Sequence, residues 1–141
     1  MRIRGHHLIC NLGYKGKGYD ERFTSVMSNV MYLIKMNPDL NVRVIDDIDI
    51  LCSACPNRKG EKYCTNKDTE ANKRIKQMDH LVLDILDIQP YSLHNWTELQ
   101  KKIALDFKLE HLNKLCKNCE WRQLGYCRQG LLDLKEKYNL V

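Results

Sequence analysis

Six of the seven cysteines in this chain fall into two groups of three with nearly equal spacing. The groups are Cys52, Cys55 and Cys64, in the pattern C-x2-C-x8-C, and Cys116, Cys119 and Cys127, in the pattern C-x2-C-x7-C. A C-x-x-C pair places two thiolates close enough to share one metal ion or one cluster edge, and a third cysteine after a short loop can fold back onto the same site. The repeated pattern therefore predicts ligation of a soft metal.

Other uses of these thiols account for the spacing less well. Free cysteine is often a small core residue, but two spaced triplets are not expected from that role. A thiol–disulfide enzyme would use one C-x-x-C pair at the start of a helix, and would leave Cys64 and Cys127 without a function. The odd total of seven cysteines also suits a complete set of disulfides poorly.

The expected compartment agrees with metal ligation. The start of the chain, "MRIRGHHLIC", has no apolar stretch typical of a signal peptide, and no run approaches the roughly 18 apolar residues of a membrane helix. We therefore expect a cytoplasmic protein with no membrane segment. Thiols stay reduced there, so a cysteine pattern indicates metal binding or catalysis.

Composition predicts one helical domain over residues 1–141. The chain is 43% hydrophobic and 29% charged, with only three prolines and seven glycines, a balance that favours helices. The net charge of +5 is modest, and no basic tract stands out, which argues against nucleic acid as a partner. Nothing in the composition indicates an oligomeric state.

Two long amphipathic helices and a short strand are the clearest elements. Asp20 can cap a helix that runs to Met36, and apolar residues recur at i, i+3 and i+4 over residues 68–88. The valines of "NVRVID" at 41–46 alternate as in a strand. We predict a mainly α fold with one or two short strands, a single compact domain whose cysteine-rich loops lie between helices.

Shorter helices are predicted elsewhere. The segment "HHLICNL" forms an apolar helical turn near the N-terminus, and "TELQ" has the form of a capping box between Thr97 and Gln100. A last helix is expected after Cys127 in "RQGLLDLKEKY", although Gly130 weakens its start.

The residues around the cysteines favour iron–sulfur over zinc and leave both open. Zinc knuckles often carry a glycine directly after C-x-x-C, whereas Pro56 follows Cys55 and Glu120 follows Cys119 here. A cysteine followed by proline is found at the ends of ferredoxin motifs. We expect a [4Fe-4S] cluster, with zinc as the alternative metal.

Each triplet lacks one ligand for a four-thiolate site. Cys10, in the apolar segment "HHLIC", is the natural fourth thiolate for one of them. His6 and His7 are candidates for the eighth position, and His7 shares a helix face with Cys10 at i, i+3. A hydrogen-bonded core or capping role is the alternative for each histidine.

The sequence supports two main functional hypotheses, leaves an enzyme with a metal-bound substrate as a third, and singles out no catalytic residues. The first is a cytosolic iron–sulfur protein, with a second metal site in addition, that serves electron transfer or metal-dependent chemistry with a redox partner protein. The second is a structural zinc module that binds protein or nucleic acid. No Ser/His/Asp set or carboxylate pair stands out, and "GYKGKGY" fits neither the P-loop nor the dinucleotide fingerprint.

Four segments together resemble one family: "RGHHLIC" at 4–10, "GKGY" at 16–19, "DDIDILCSAC" at 46–55 and "CKNCEW" at 116–121. It is a small bacterial and archaeal family, domain of unknown function 1284, whose members are described as candidate iron–sulfur-binding proteins. The resemblance spans nearly the whole chain. It implies iron–sulfur binding through His6, His7, Cys10, Cys52, Cys64, Cys116, Cys119 and Cys127.

Overall fold

A small sheet and a set of helices make up the part of the chain that this computed structural model describes, residues 1–14, 21–47, 49–50, 69–115 and 125–138. Within these ranges the structure has three strands and six α-helices. The prediction of a mainly α, single compact domain is confirmed. The described residues hold three short strands where the sequence predicted one or two.

The sheet has the order β1-β2-β3, with strands at Arg2–Arg4 (β1), Asn41–Ile45 (β2) and Leu93–Asn95 (β3). β1 lies parallel to β2, with Ile3 opposite Val44, and β3 pairs with β2 in the antiparallel direction. Parallel neighbours require a crossover connection, because the chain must return to the same end of the sheet. The first two helices lie in that connection.

The helices are α1 (Gly5–Cys10), α2 (Glu21–Met36), α3 (Thr69–Leu86), α4 (Trp96–Asp106), α5 (Leu109–Leu115) and α6 (Tyr126–Lys137). A 3-10 helix at Asn11–Gly13 continues directly from α1. It packs against α6, and α1 packs against α3. The N-terminal segment is therefore held between a helix from the middle of the chain and the last helix.

The core joins the inner face of the sheet to the apolar faces of the helices. Val42 and Val44 are fully buried, as expected for alternate residues on one face of a strand. Other fully buried members of this core are Ile3, Leu8, Ile9, Val82, Leu86, Ile103, Phe107 and Leu131. No helix among the described residues is long and apolar enough to cross a bilayer.

Two predicted helix starts are wrong. The N-cap of α4 is Asn95, whose side chain accepts a hydrogen bond from the backbone N–H of Glu98 at 3.2 Å. Thr97, the predicted cap, instead donates to the carbonyl of Pro38 at 2.7 Å. α6 begins at Tyr126, so Cys127 lies inside the helix that was expected to follow it.

Candidate functional site

Two of the seven predicted cysteine ligands lie in the described part of the chain, Cys10 and Cys127, and both are half-buried. The other five fall outside the described residues: Cys52, Cys55, Cys64, Cys116 and Cys119. The prediction that these five bind a metal stays a prediction. The candidate site is built here from Cys10, Cys127 and the polar residues near them.

Cys127 lies against the short helix that continues from Cys10. A Cβ atom placed on Gly13 would lie 2.6 Å from the backbone nitrogen of Cys127 and 2.8 Å from its Sγ. Only glycine permits so close an approach, because no real Cβ tolerates a backbone atom at that distance. Cys10 precedes Gly13 by three residues, so at the junction between Asn11–Gly13 and α6 the last cysteine lies against the segment that directly follows the N-terminal cysteine.

A second glycine makes the same junction tight from the other side. A Cβ atom on Gly130 would overlap the carbonyl of Leu12. From the sequence, Gly130 was expected only to weaken the start of the last helix. Its position shows that glycine serves the packing of α6 against the 3-10 helix.

Asn11, beside Cys10, carries an unusual buried amide. The residue is 4% exposed, and neither its Oδ1 nor its Nδ2 has a hydrogen-bond partner among the described residues. A buried polar group without a partner costs about 1–3 kcal/mol. Such a group calls for a specific explanation, one of which is a ligand or ion that completes its hydrogen bonds.

The second part of the candidate site contains two histidines and is organised by Asp79 of α3, which is fully buried. Its Oδ2 accepts hydrogen bonds from Nε and Nη2 of Arg4 at 2.9 and 2.7 Å. Its Oδ1 accepts the backbone N–H of His6 at 3.1 Å and lies 2.7 Å from Nδ1 of that ring. The carboxylate is thus paired and fully hydrogen-bonded, which offsets the cost of burying it.

Asp49 makes the equivalent contact with the next residue. Its Oδ2 accepts the backbone N–H of Arg4 at 2.9 Å and lies 2.8 Å from Nδ1 of His7. The two imidazole rings lie 4.4 Å apart, centroid to centroid, at an angle of 56°. Neighbouring histidines are therefore each held at Nδ1 by a separate carboxylate.

The charge states of His6 and Asp79 follow from their burial and from their charged and hydrogen-bonded neighbours. Burial and, to a smaller extent, neighbouring His7 together lower the pKa of His6 from 6.5 to about 4, against the opposing effect of Asp79. Burial opposes ionisation of Asp79, but hydrogen bonds and charge from His6 and Arg4 outweigh it and hold the pKa of the carboxyl below its usual range. At neutral pH an ionised Asp79 can only accept, so His6 carries its proton on Nδ1 and a lone pair on Nε2.

The sequence predicted His6 and His7 as ligands but missed the residues that orient them. Asp79 was detectable, because it lies four residues after Ile75 and three before Val82 on the apolar face of α3. A charged residue on such a face needs a buried partner. Arg4, Asn11 and Asp49 carry no comparable signal.

Within the described ranges, no three His, Cys, Asp or Glu side chains converge in a geometry that could hold a metal ion. Nδ1 of His111, in α5, accepts the backbone N–H of Lys108 at 3.0 Å. The described residues that could donate to a metal are therefore Cys10, Cys127 and the carboxylate-held histidine pair.

Comparison with protein families found a match over most of the chain. The model of a family described as a protein of unknown function, DUF1284, matches residues 18–125, more than half of the chain. The comparison with curated proteins found no match, and neither did the comparison with solved structures.

Proposed function

The chain belongs to the DUF1284 family, whose function is unknown, and we propose that it is an iron–sulfur protein. The proposed ligands of a [4Fe-4S] cluster are Cys10, Cys116, Cys119 and Cys127. A bound cluster of this kind supplies one-electron transfer, so the proposed role is electron transfer or redox chemistry with a partner protein. Thiolate ligands need a reducing compartment, and the proposal therefore places the protein in the cytoplasm.

One observation supports this ligand set above the others: Cys127 packs against Gly13, three residues after Cys10. By sequence alone, Cys10 could be the fourth ligand of either triplet. The contact favours the C-terminal triplet, because its last cysteine lies against the segment that directly follows Cys10. Cys116 and Cys119 lie outside the described residues and join the set through their spacing to Cys127.

The donor chemistry at the junction fits a cluster. Cys10 and Cys127 are half-buried, Cys127 packs against the apolar core, and the buried amide of Asn11 has no partner among the described residues. Cluster and thiolate sulfurs accept hydrogen bonds. A cluster held by Cys10 would therefore offer acceptors to Nδ2 of Asn11, provided that the amide faces the cluster. Thiolates also bind zinc, which keeps a structural zinc module as the competing outcome.

The test is anaerobic purification of the full chain, followed by iron, zinc and acid-labile sulfide analysis and a visible spectrum. The proposal expects about four iron and four sulfide per cluster site, by the definition of the cubane. Zinc without sulfide would overturn it and support the zinc module.

Single substitutions then decide between the two triplets. Cys10→Ser and Cys127→Ser should each lose most of the cluster, while Cys64→Ser, the matched change in the other triplet, should keep it. If Cys10→Ser and Cys64→Ser lose the cluster and Cys127→Ser retains it, Cys10 completes the first triplet and the proposed ligand set is wrong.

A further inference from the structure

We propose that four lysines form a docking surface for an acidic protein partner, where the C-terminal half of α4 meets the end of α6. They lie around the exposed side chain of Leu105 and the ring of Tyr138, and they are Lys101, Lys108, Lys135 and Lys137. We call this group the lysine surface. The proposal uses none of the cysteines and histidines of the candidate site, so it does not depend on which metal the thiols bind.

Contacts between the two helices bring the lysines together. Nζ of Lys135, in α6, donates a hydrogen bond to the carbonyl of Ala104, in α4, at 2.7 Å. Nζ of Lys101 and Nζ of Lys137 both lie over the ring of Tyr138, at 5.9 and 5.6 Å from its centroid. The electron-rich face of an aromatic ring attracts an ammonium group, so Tyr138 holds a lysine from each helix in one small area.

Lys108 joins the group from the connection between α4 and α5. Burial and, to a smaller extent, the positive charge of Lys108 lower the pKa of Lys135, against the opposing effect of Asp106. Lys108 can have this effect only because its ammonium group lies near that of Lys135. Like charges gathered in this way repel one another, and a negatively charged partner would relieve that repulsion.

The lysine surface keeps a positive charge of its own. Residues 101–108 and 135–138 together carry five lysines against two carboxylates, a formal charge of +3. One of these carboxylates, Asp106, lies 3.8 Å from Lys102, which is not part of the lysine surface. The four lysines of the surface make no ion pair with a described residue. Their ammonium groups are therefore available to the carboxylates of another molecule.

Leu105 gives the surface an apolar centre. It is 65% exposed, the largest fraction among the large apolar residues that the structure describes. It directly follows Ala104, which Lys135 contacts, and it lies one helical turn after Lys101. An apolar anchor inside a charged rim is the usual anatomy of a protein–protein interface. The partner is therefore expected to be a protein that carries carboxylates around an apolar contact.

Nucleic acid fits the lysine surface less well. Lys101 and Lys137 lie over the ring of Tyr138, so the ring face that they cover is closed to the base stacking on which single-strand binding relies. A local charge of +3 is also small beside the several phosphates that a duplex-binding protein neutralises. Complementary charge around a small apolar centre suits a protein partner, because exposed charges steer its approach and increase the rate of association.

The test is a titration of a fluorescein-labelled peptide, made of glutamates with interspersed leucines, with the full chain as purified anaerobically. Fluorescence anisotropy reports the binding. Saturable binding is expected, and it should weaken as the salt concentration rises from about 0.05 to about 0.2 M, because salt screens exposed charges. A peptide with serine in place of each leucine should bind about tenfold more weakly, since it leaves the apolar contact with Leu105 unmade.

Matched variants separate the lysine surface from the net charge of the chain. Lys101→Glu/Lys137→Glu should weaken peptide binding at least about tenfold. Arg74→Glu/Lys76→Glu changes the net charge by the same amount in α3, and should weaken binding less than about threefold, because its charges act through screening salt. All four positions are exposed, so both variants should keep the circular dichroism spectrum of the parent.

Three results overturn the proposal. In the first, both double variants weaken peptide binding equally, which shows attraction to the net charge of the chain. In the second, oligothymidylate binds more tightly than the peptide and loses affinity in Lys101→Glu/Lys137→Glu, which makes nucleic acid the partner. In the third, the peptide fails to bind even at the lower salt concentration. The titration requires no metal, so its result is independent of the iron and sulfide analysis that tests the cluster.

Discussion

Asp79 of α3 accepts two hydrogen bonds from the guanidinium of Arg4, at 2.9 and 2.7 Å, and both side chains are at most 4% exposed. The pair joins residues 75 positions apart and holds the start of α1 against α3. A buried ion pair adds little net stability over an apolar pair, but breaking it leaves an uncompensated buried charge. The pair is therefore a sensitive point of the fold.

Asp79→Asn should lower the free energy of unfolding by about 3 kcal/mol or more, because Arg4 stays buried without its counter-charge. Urea denaturation followed by circular dichroism measures the change. Asp46→Asn is the control, since it alters a contact to His80, whose side chain is half exposed, and should cost less than about 1 kcal/mol. Equal costs for the two variants would show that the Arg4–Asp79 pair does not hold the fold.

Stability should fall as the pH drops from about 6.5 to 4. The pKa of His6 is lowered from 6.5 to about 4 by burial, so in that window the unfolded chain binds a proton that the folded chain does not. By proton linkage, the loss approaches about 1.4 kcal/mol per pH unit. Denaturation series in the presence of a chelator, so that metal is absent, should show this slope.

His6→Gln should flatten the slope over the same window, and His80→Gln should leave it in place. The carboxyl of Asp79 affects stability at lower pH than His6 does. Its carboxyl has a folded pKa below its usual range, so its stabilising effect is present above about pH 4 and is lost as the pH falls through the folded pKa. If the slope persisted in His6→Gln, a group other than His6 would be responsible for the pH dependence.

The sequence predicted those parts of the fold that depend on local pattern. Apolar periodicity placed α2 and α3 to within one or two residues of Glu21–Met36 and Thr69–Leu86. β1 has three residues, too few to show alternation. Thr97 has the local signature of a cap, but a tertiary hydrogen bond to Pro38 takes its hydroxyl, and Asn95 caps the helix instead.

The residues of the candidate site could be proposed from their types in the sequence, but the residues that they contact could not. Cys10, His6 and His7 are chemically distinctive, and spacing drew attention to each. Their contacts join distant positions: Asp79 lies 73 residues from His6, and Asp49 lies 42 residues from His7. One sequence carries no information on such long-range pairs, so the role of the carboxylates emerges only once the chain is folded.

Gly13→Ala should destabilise the protein by about 1–3 kcal/mol, because the new Cβ would meet the backbone of Cys127 and one helix must shift. It should also reduce the iron and sulfide retained on anaerobic purification, since the shift moves Cys127 away from the segment that follows Cys10. Gly125→Asn is a suitable control. Gly125 has a φ of 72° with open space where a Cβ would lie, and asparagine tolerates that conformation.

If Gly13→Ala lost stability but kept full iron and sulfide, the close packing would matter for folding alone. The ligand set with Cys10 and Cys127 together would then lose its main structural support. Full retention of both stability and iron would show that the junction relaxes at little cost.

Asn11→Leu tests what the buried amide is for. Leucine has the same branching at Cγ and no polar atoms, so in chelator-treated protein it should leave stability unchanged or raise it by up to about 1–3 kcal/mol, the cost of a buried amide with no partner. In protein that holds a cluster, the same change should make the reduction potential more negative, because donors to sulfur stabilise the more negatively charged reduced state. Urea denaturation and protein-film voltammetry measure the two effects.

Gln100→Leu supplies the matched control. Gln100 also has a buried amide nitrogen without a partner among the described residues, but it lies in α4, away from Cys10 in the chain. It should share the effect on stability and leave the potential unchanged. A potential that stays the same in Asn11→Leu would show that Asn11 does not face the cluster. A loss of stability in metal-free Asn11→Leu would show that the amide finds partners within the protein itself.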